Sequence, residues 1–462
     1  MPLVETPGTI QPVLRLAGPV LVEQVLVMLV GLSDRALTGH YLATEHLAAI
    51  TLMTYLLWAL WAMFSVVAIG ATAMVARAVG AGRYGAARKI TAQALLLGLF
   101  FAAAVTLLVA WQGPHMVRLM QLEGRSAELA VQYMMIVLPV IPLVMLLYVG
   151  VACFRAAGDM VTGLAIMAIV NAVNVAVAWS LVLGLGPLPR LGWKGIALGT
   201  ACGYAVGGLL VLGLLVRGRS GLKLHLRLMR PDANILWRLL RVGLPGGADT
   251  LSLVGCQLWF LSIINQLGAL ASAAHGVAIA IESLAYLPGT AFQLAATTLA
   301  GQYLGAGDYH RAGRSVWTAC LLGGLMMTAT GVFFFTLAGY LARLLVGAGQ
   351  PDVVTQAVPL VRTVAFGMPA LAITMVLSGA LRGAGDTRWP LVFTLVGFLA
   401  VRMPTAYWLA FSSVTLPGAP WALAGRGLGV IGTWYAMVAD LTVRAGLVLY
   451  RFGRGRWKHV RV

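Results

Sequence analysis

Charge is what this chain lacks. Asp, Glu, Lys and Arg together make up only 10% of its 462 residues, against 60% hydrophobic, where soluble domains carry about 25% charge. Acid is scarcest, with 14 Asp and Glu against 32 Lys and Arg, a net charge of +18. No segment is both basic and polar enough to fold as a nucleic-acid module, so no nucleic-acid partner is expected. The surplus reads as the positive bias of membrane-protein loops. The cysteines, Cys153, Cys202, Cys256 and Cys320, sit in apolar runs without CxxC spacing, which argues against a disulfide framework or zinc site and for packing thiols. Seven scattered histidines form no HxxxH or HExxH pattern, and no GxSxG is present. No GxxxxGK[ST] loop exists, so ATP is no direct energy source. No cofactor and no resident metal are expected. The first apolar run flows into a full span instead of ending as a short signal-peptide core.

What is present is apolar length. Runs of about 20 residues cross a bilayer of about 30 Å, and twelve are read, near 13–36, 47–72, 91–111, 128–152, 161–184, 195–216, 239–265, 273–299, 315–340, 357–381, 389–411 and 427–450. The organisation is a first lobe over 1–220, a basic linker over 221–238, a second lobe over 239–450 and a basic tail over 451–462. Lys and Arg fall 22 on the side of the linker and termini and 8 on the other. The expectation is a multi-pass protein of the plasma (inner) membrane with both termini cytoplasmic.

The two lobes are copies. Ala71-Thr72-Ala73, Gly80-Ala81-Gly82-Arg83-Tyr84 and Ala87 return as Ala296-Thr297-Thr298, Gly305-Ala306-Gly307-Asp308-Tyr309 and Ala312, 225 positions later. Leu16-Ala17-Gly18-Pro19 pairs with Val242-Gly243-Leu244-Pro245. Pro142 with Arg155-Ala156-Ala157-Gly158-Asp159 pairs with Pro369 and Arg382-Gly383-Ala384-Gly385-Asp386, and Gly199-Thr200 pairs with Gly432-Thr433. Six spans per copy insert both copies the same way up, and such parallel repeats hold a site at their interface. Gly-Ala-Gly at a span end predicts a tight turn with positive φ, and the basic residues after it face anionic headgroups, so membrane lipids are expected partners.

The motifs GAGRYGAARK and GAGDYHRAGR after spans two and eight, RAAGD and RGAGDTRWP after spans four and ten, and GLSDRALTGHYLATEHLAAI ending span one resemble those of the multidrug and toxic compound extrusion (MATE) transporters over essentially the whole chain. The resemblance implies an all-α membrane protein, twelve helices in two six-helix lobes around a central V-shaped cavity. It implies export of amphiphilic, often cationic compounds in exchange for H⁺ or Na⁺. A cavity between two lobes of one chain needs no second subunit, so a monomer is expected.

Ionisable residues within spans are costly and therefore candidates for function. Asp34 matches the family's first-helix Asp; its alternative is an interfacial pair with Arg35. Asn171 and Asn174, one turn apart on span five, could hold Asp34 or Na⁺, or bond between helices. Asn174 resembles the family's Asn here, but the Asp that some members carry four residues later is Ala178. Tyr41 is a further candidate beside Asp34. Glu282 stands mid-span with no cation within a turn and resembles a second-lobe acid of part of the family. Glu23 and Asp249 each follow their repeat's proline by four residues and are expected to face each other as an acidic pair at the cavity mouth. Asp440 and Arg444, spaced i, i+4, read as a structural ion pair that Arg402 could join, with coupling as the alternative. Tyr55, Trp58 and Trp61 with Met53 and Met63 could form a wall for flat cations, or plain packing.

Three functions follow. A cation-coupled drug antiporter fits the acids and the repeats, and Asp34 with its amides inclines it to H⁺. A lipid-linked oligosaccharide flippase of the same superfamily would want a basic cavity. An intramembrane enzyme would need a constellation that the sequence does not contain.

Overall fold

The computed structural model describes residues 6–41, 44–119, 124–185, 187, 189–346, 350–415 and 422–460. Most of the apolar runs form helices longer than hydropathy marked; two of them run on to the first glycine of a Gly-Ala-Gly motif, Gly80 and Gly305. The first half holds α1 (Ile10–Tyr41), α2 (Thr44–Gly80), α3 (Tyr84–Leu119), α4 (Gly124–Val137), α5 (Ile141–Ala156), α6 (Met160–Leu183) and α7 (Trp193–Arg217). The second holds α8 (Ala233–Asn265), α9 (Ala269–Gly305), α10 (Tyr309–Val346), α11 (Pro351–Gly383), α12 (Arg388–Leu395), α13 (Met403–Ala410) and α14 (Val430–Gly453). Spans four and eleven are each two helices. Pro139 and Pro142 break span four through a 3₁₀ turn, since proline returns no backbone bond to the preceding turn. Pro404 does the same to span eleven, where α12 and α13 are joined by π-helical residues Val396–Arg402.

Eleven of these segments are long and apolar enough to cross a membrane. The twelfth, α14, has 24 residues, about 36 Å at 1.5 Å per residue, and holds Asp440 and Arg444. Span seven begins at Ala233, inside the expected linker, with Asp232 capping it by accepting from the Asn234 and Ile235 N–H groups. The all-helical expectation needs one amendment, a short antiparallel ribbon of β1 (Ser413–Thr415) and β2 (Ala422–Ala424) before α14.

The repeat is visible in the turns. Arg83 N–H donates to Ala78 O at 2.9 Å and Asp308 N–H to Tyr303 O at 2.9 Å, while Asp159 and Asp386 close the same loop on Phe154 and Leu381 at 3.0 and 2.8 Å. This six-to-one closure needs a left-handed residue before it. Gly82 and Gly307 supply it at φ 68° and 77°, as Gly158 and Gly385 do in the second pair.

The halves exchange their beginnings. Val13, Leu16 and Val20 of α1 are buried in the core of the second half, and Leu239 of α8 is buried in the core of the first. Nearby, α2 crosses α9 and α8 at backbone distance. A Cβ added to Gly80 would stand 1.9 Å from the Gln302 carbonyl oxygen, and one added to Gly305 would stand 2.2 Å from that of Arg77. Both contacts lie toward the linker and termini, so the seam between the lobes is shut on that side.

Candidate functional site

At the shut end of the seam the lobes bond to each other's helix ends. Arg77 Nη2 on α2 donates to Ala384 O at 2.9 Å, and Gln302 Nε2 on α9 donates to Ala156 O at 2.8 Å. Thr298 Oγ1 adds a bond of 3.1 Å to Arg155 O. The acceptors belong to the last turns of α5 and α11, where carbonyls have no helical partner and a cation such as Arg77 meets the negative end of the helix dipole.

Above this seal lies a cavity of about 190 Å³ lined from both lobes, with Ser65, Thr72, Tyr148, Arg155, Gln293 and Arg382 among its walls. Its two arginines are equivalent in the repeat, and so are their partners. Arg155 bonds Glu23, and Arg382 bonds Asp249. The expected acidic pair is therefore not formed. Each acid is neutralised within its own lobe, because leaving an acid buried and unpaired beside an arginine would forfeit the pairing that offsets its desolvation. Glu23 Oε2 and Asp249 Oδ1 remain buried without a hydrogen-bond partner among the described residues.

The first lobe carries a second polar centre. Asn174 is buried on α6 and donates to Thr200 Oγ1 of α7 at 3.2 Å; Tyr133 of α4 donates to the same oxygen at 2.9 Å. Asp34 on α1 is within electrostatic reach of Tyr133 and Tyr204. Its Oδ1 is buried and has no hydrogen-bond partner among the described residues, as is also the case for Asn174 Oδ1 and Asn171 Nδ2. The α1–α6 contact is fixed beside it by Trp179 Nε1 donating to Ser33 Oγ at 2.9 Å. Tyr41 is not part of this centre: it is exposed at the end of α1, its ring edge-on to Trp179 at 6.3 Å. The side chain of Arg35, the alternative partner of Asp34, lies outside the described residues. Tyr133 and Thr200 were missed as site residues, although Thr200 stands in the Gly-Thr pair that the repeat duplicates.

The second lobe is built differently. Asp440 is fully buried and accepts from Arg402 at 2.7 Å and Arg444 at 2.8 Å, so Arg402 joins the pair as the sequence suggested. The π-helical turn brings Gly397 onto Asp440, where a Cβ would stand 2.1 Å from Oδ1. Phe398 lies under both guanidiniums, 4.3 and 5.0 Å from its ring centre, and Arg402 Nη1 donates to Gln257 Oε1 at 3.3 Å. Glu282 is buried on α9 within the field of Arg402 and forms no ion pair among the described residues. Two cations on one carboxylate leave a surplus charge beside it. Of the expected wall, Met53 and Met63 line an apolar cavity of about 130 Å³ in the first lobe, together with Tyr133; Trp58 is exposed, and the side chain of Tyr55 lies outside the described residues.

The MatE family profile matches residues 19–180 and 247–408, one copy in each lobe and together more than half the chain. The chain belongs to the MatE family. A probable multidrug resistance protein NorM of Thermotoga maritima is 27% identical over 458 residues, covering 99% of this chain and 95% of that protein. The fold is that of solved MATE structures. One in complex with MaL6 has a TM-score of 0.88 at 21% identity over 98% of both chains. A multidrug resistance MATE family transporter in an outward-facing conformation has a TM-score of 0.89 at 21% identity over 99% of this chain and 98% of that one. A MOP superfamily transporter from Pyrococcus furiosus, described as having a binding pocket of reverse polarity, has a TM-score of 0.89, also at 21% identity over 99% and 98%. This MatE protein is thus a transporter with many membrane spans, not an enzyme.

Proposed function

We propose that this MatE protein exports amphiphilic, mostly cationic drugs or toxic compounds in exchange for H⁺ or Na⁺, alternating access between its two lobes. The observation that carries this reading is the placement of two separate acids, Asp34 and Glu282, one in each lobe, neither in an ion pair among the described residues. A membrane-embedded acid lacking a fixed counter-charge can exchange a proton or a cation for a positively charged substrate. Asn174, Asn171 and Thr200 would complete the shell of Asp34, and Na⁺ could sit at Asp34 and Asn174. Glu23 and Asp249 would hold the cavity arginines in place. The protein would act as a monomer in the plasma (inner) membrane, with its termini and the sealed end of the seam at the cytoplasm.

A flippase for lipid-linked anionic oligosaccharides draws on Arg155 and Arg382 in the cavity wall, but each is already matched by an acid. Ethidium efflux from proteoliposomes under an imposed ΔpH or ΔNa⁺, on wild type, Asp34→Asn and Glu282→Gln, tests the proposal. Efflux driven by one gradient and lost in either variant supports it and names the ion. Efflux indifferent to both gradients would refute coupled antiport, and lipid-linked sugar translocation in its place would establish the flippase.

A further inference from the structure

A second polar cavity lies at the linker end of the second lobe, apart from the seam. It has a volume of about 420 Å³ and is lined by Arg238 and Arg241 of α8, Arg388 at the start of α12, Asp386, Thr387 and Val460 of the tail. Its one acid is already engaged. Arg451 donates to Asp386 Oδ2 from both Nε and Nη2, at 3.0 and 2.8 Å. Arg241 and Arg388, which form no ion pair among the described residues, therefore make the cavity cationic.

The surroundings give the depth of this corner. Trp389 is 41% exposed and carries the Arg451 guanidinium 4.9 Å above its ring, and Trp237 is 64% exposed. Exposed tryptophans mark the level of the headgroups. Below Arg388, at helical spacing, the exposed Val392, Val396 and Leu399 continue down span eleven. The eleven residues, the last four of them in the wider π-helical turn, descend a little less than the roughly 16 Å of an α-helix, still about half of a hydrocarbon core of about 30 Å. A cationic pocket thus stands over an apolar track one leaflet long.

The first lobe serves as an internal comparison. The positions equivalent to Arg238, Arg241 and Arg388 are Pro12, Arg15 and Val161, so the second lobe has two additional arginines. In the first lobe the equivalent acid, Asp159, is covered by the linker through Ser220 and Arg219. In the second lobe Arg451 covers the equivalent acid, Asp386, and the cavity lies beside that pair, walled by the additional arginines and by Val460 of the tail.

We propose that this corner binds the phosphate of an anionic phospholipid, its acyl chains lying along span eleven. Basic pockets between membrane helices hold such headgroups, and arginine matches the planar, bidentate geometry of phosphate oxygens. Native mass spectrometry of the purified full chain with added phosphatidylglycerol or phosphatidylcholine tests this. Its companion is thermal unfolding with the same lipids or with inorganic phosphate. The variants are Arg388→Gln, a triple substitution of Arg238, Arg241 and Arg388 by Gln, and a matched triple of three other exposed arginines, Arg83, Arg217 and Arg314. Wild type and the matched triple retain phosphatidylglycerol in preference to phosphatidylcholine. The pocket triple binds it at least roughly tenfold more weakly, with Arg388→Gln between. Equal loss in both triples would assign the effect to general surface charge and overturn the site. Unchanged retention in the pocket triple would overturn it too, and stabilisation by inorganic phosphate alone would overturn the lipid as its occupant.

Discussion

Arg77 and Gln302 stand at equivalent positions of the two repeats, and each closes the last turn of a helix in the opposite lobe. The same location thus does the same work with two different side chains, one cationic and one neutral. Each bond contributes roughly 0.5–1.5 kcal/mol, and 1.4 kcal/mol is a factor of about ten in a population. Arg77→Met with Gln302→Leu should raise the population open to the linker side by roughly tenfold or more. In a cysteine-free background carrying one cysteine at Thr72 in the cavity wall, faster labelling from the linker side is the expected result.

Gly80 and Gly305 allow two backbones to touch. Alanine at either site must push the helices apart, and overpacking of this kind costs about 1–3 kcal/mol. Either substitution should lower the Tm in detergent and slow transport, and Gly82→Ala should do so through turn strain instead, leaving the crossing in place. Distances between spin labels on α2 and α9 would separate the two, lengthening only in the crossing variants.

The triad of Asp440, Arg402 and Arg444 predicts an unequal response. Asp440→Asn leaves two buried guanidiniums facing each other without a carboxylate, a loss of the order of 3–5 kcal/mol. Arg402→Gln leaves one ion pair intact. The Tm of Asp440→Asn should be clearly the lower of the two, and the double variant Asp440→Asn/Arg402→Gln should recover part of the difference. Equal Tm values for the single variants would mean that Asp440 is not the common anchor.

Thr200 receives bonds from both Tyr133 and Asn174. Thr200→Val keeps its shape and removes the acceptor. Transport should persist with a shifted pH profile, while Thr433→Val, whose hydroxyl donates to Val430 O within its own helix, should leave the profile unmoved.

Asp159 lies outside the membrane-spanning segments and gives a pH signature. Burial pushes its carboxyl upward, but the Ser220 and Thr162 hydroxyls, the Thr162 N–H and Arg219 outweigh it and hold it below the ordinary 3.8. A depressed folded value contributes stability above the unfolded one that is lost as pH falls through the folded value. The Tm gap between wild type and Asp159→Asn should be level above about pH 5 and close as the medium becomes more acid.

The helices, the repeat and the turn glycines were legible because each follows from a local rule: a bilayer's thickness, a duplicated string, a positive φ. Asp34 and Asn174 were legible as polar groups in apolar runs, and Arg402 as a neighbour for Asp440. The pairing of Glu23 with Arg155 and of Asp249 with Arg382 was not read, since the partners are 132 and 133 residues apart. The repeat relates the two acids to each other and the two arginines to each other, but leaves open which acid each arginine meets. Tyr133 escaped because a tyrosine in a span is ordinary; only the position of Thr200 across from it gives its hydroxyl a role.

The bare crossing of α2 and α9 has a mechanical consequence. With no side chain between the backbones at Gly80 and Gly305, the two helices have nothing to slide over and little slack to take up. Such a point works as a fulcrum. A small angular change about it displaces the far ends of the lobes most, so the widest gap opens where the halves share least contact, and the fulcrum sets the allowed rotation without touching the transported molecule.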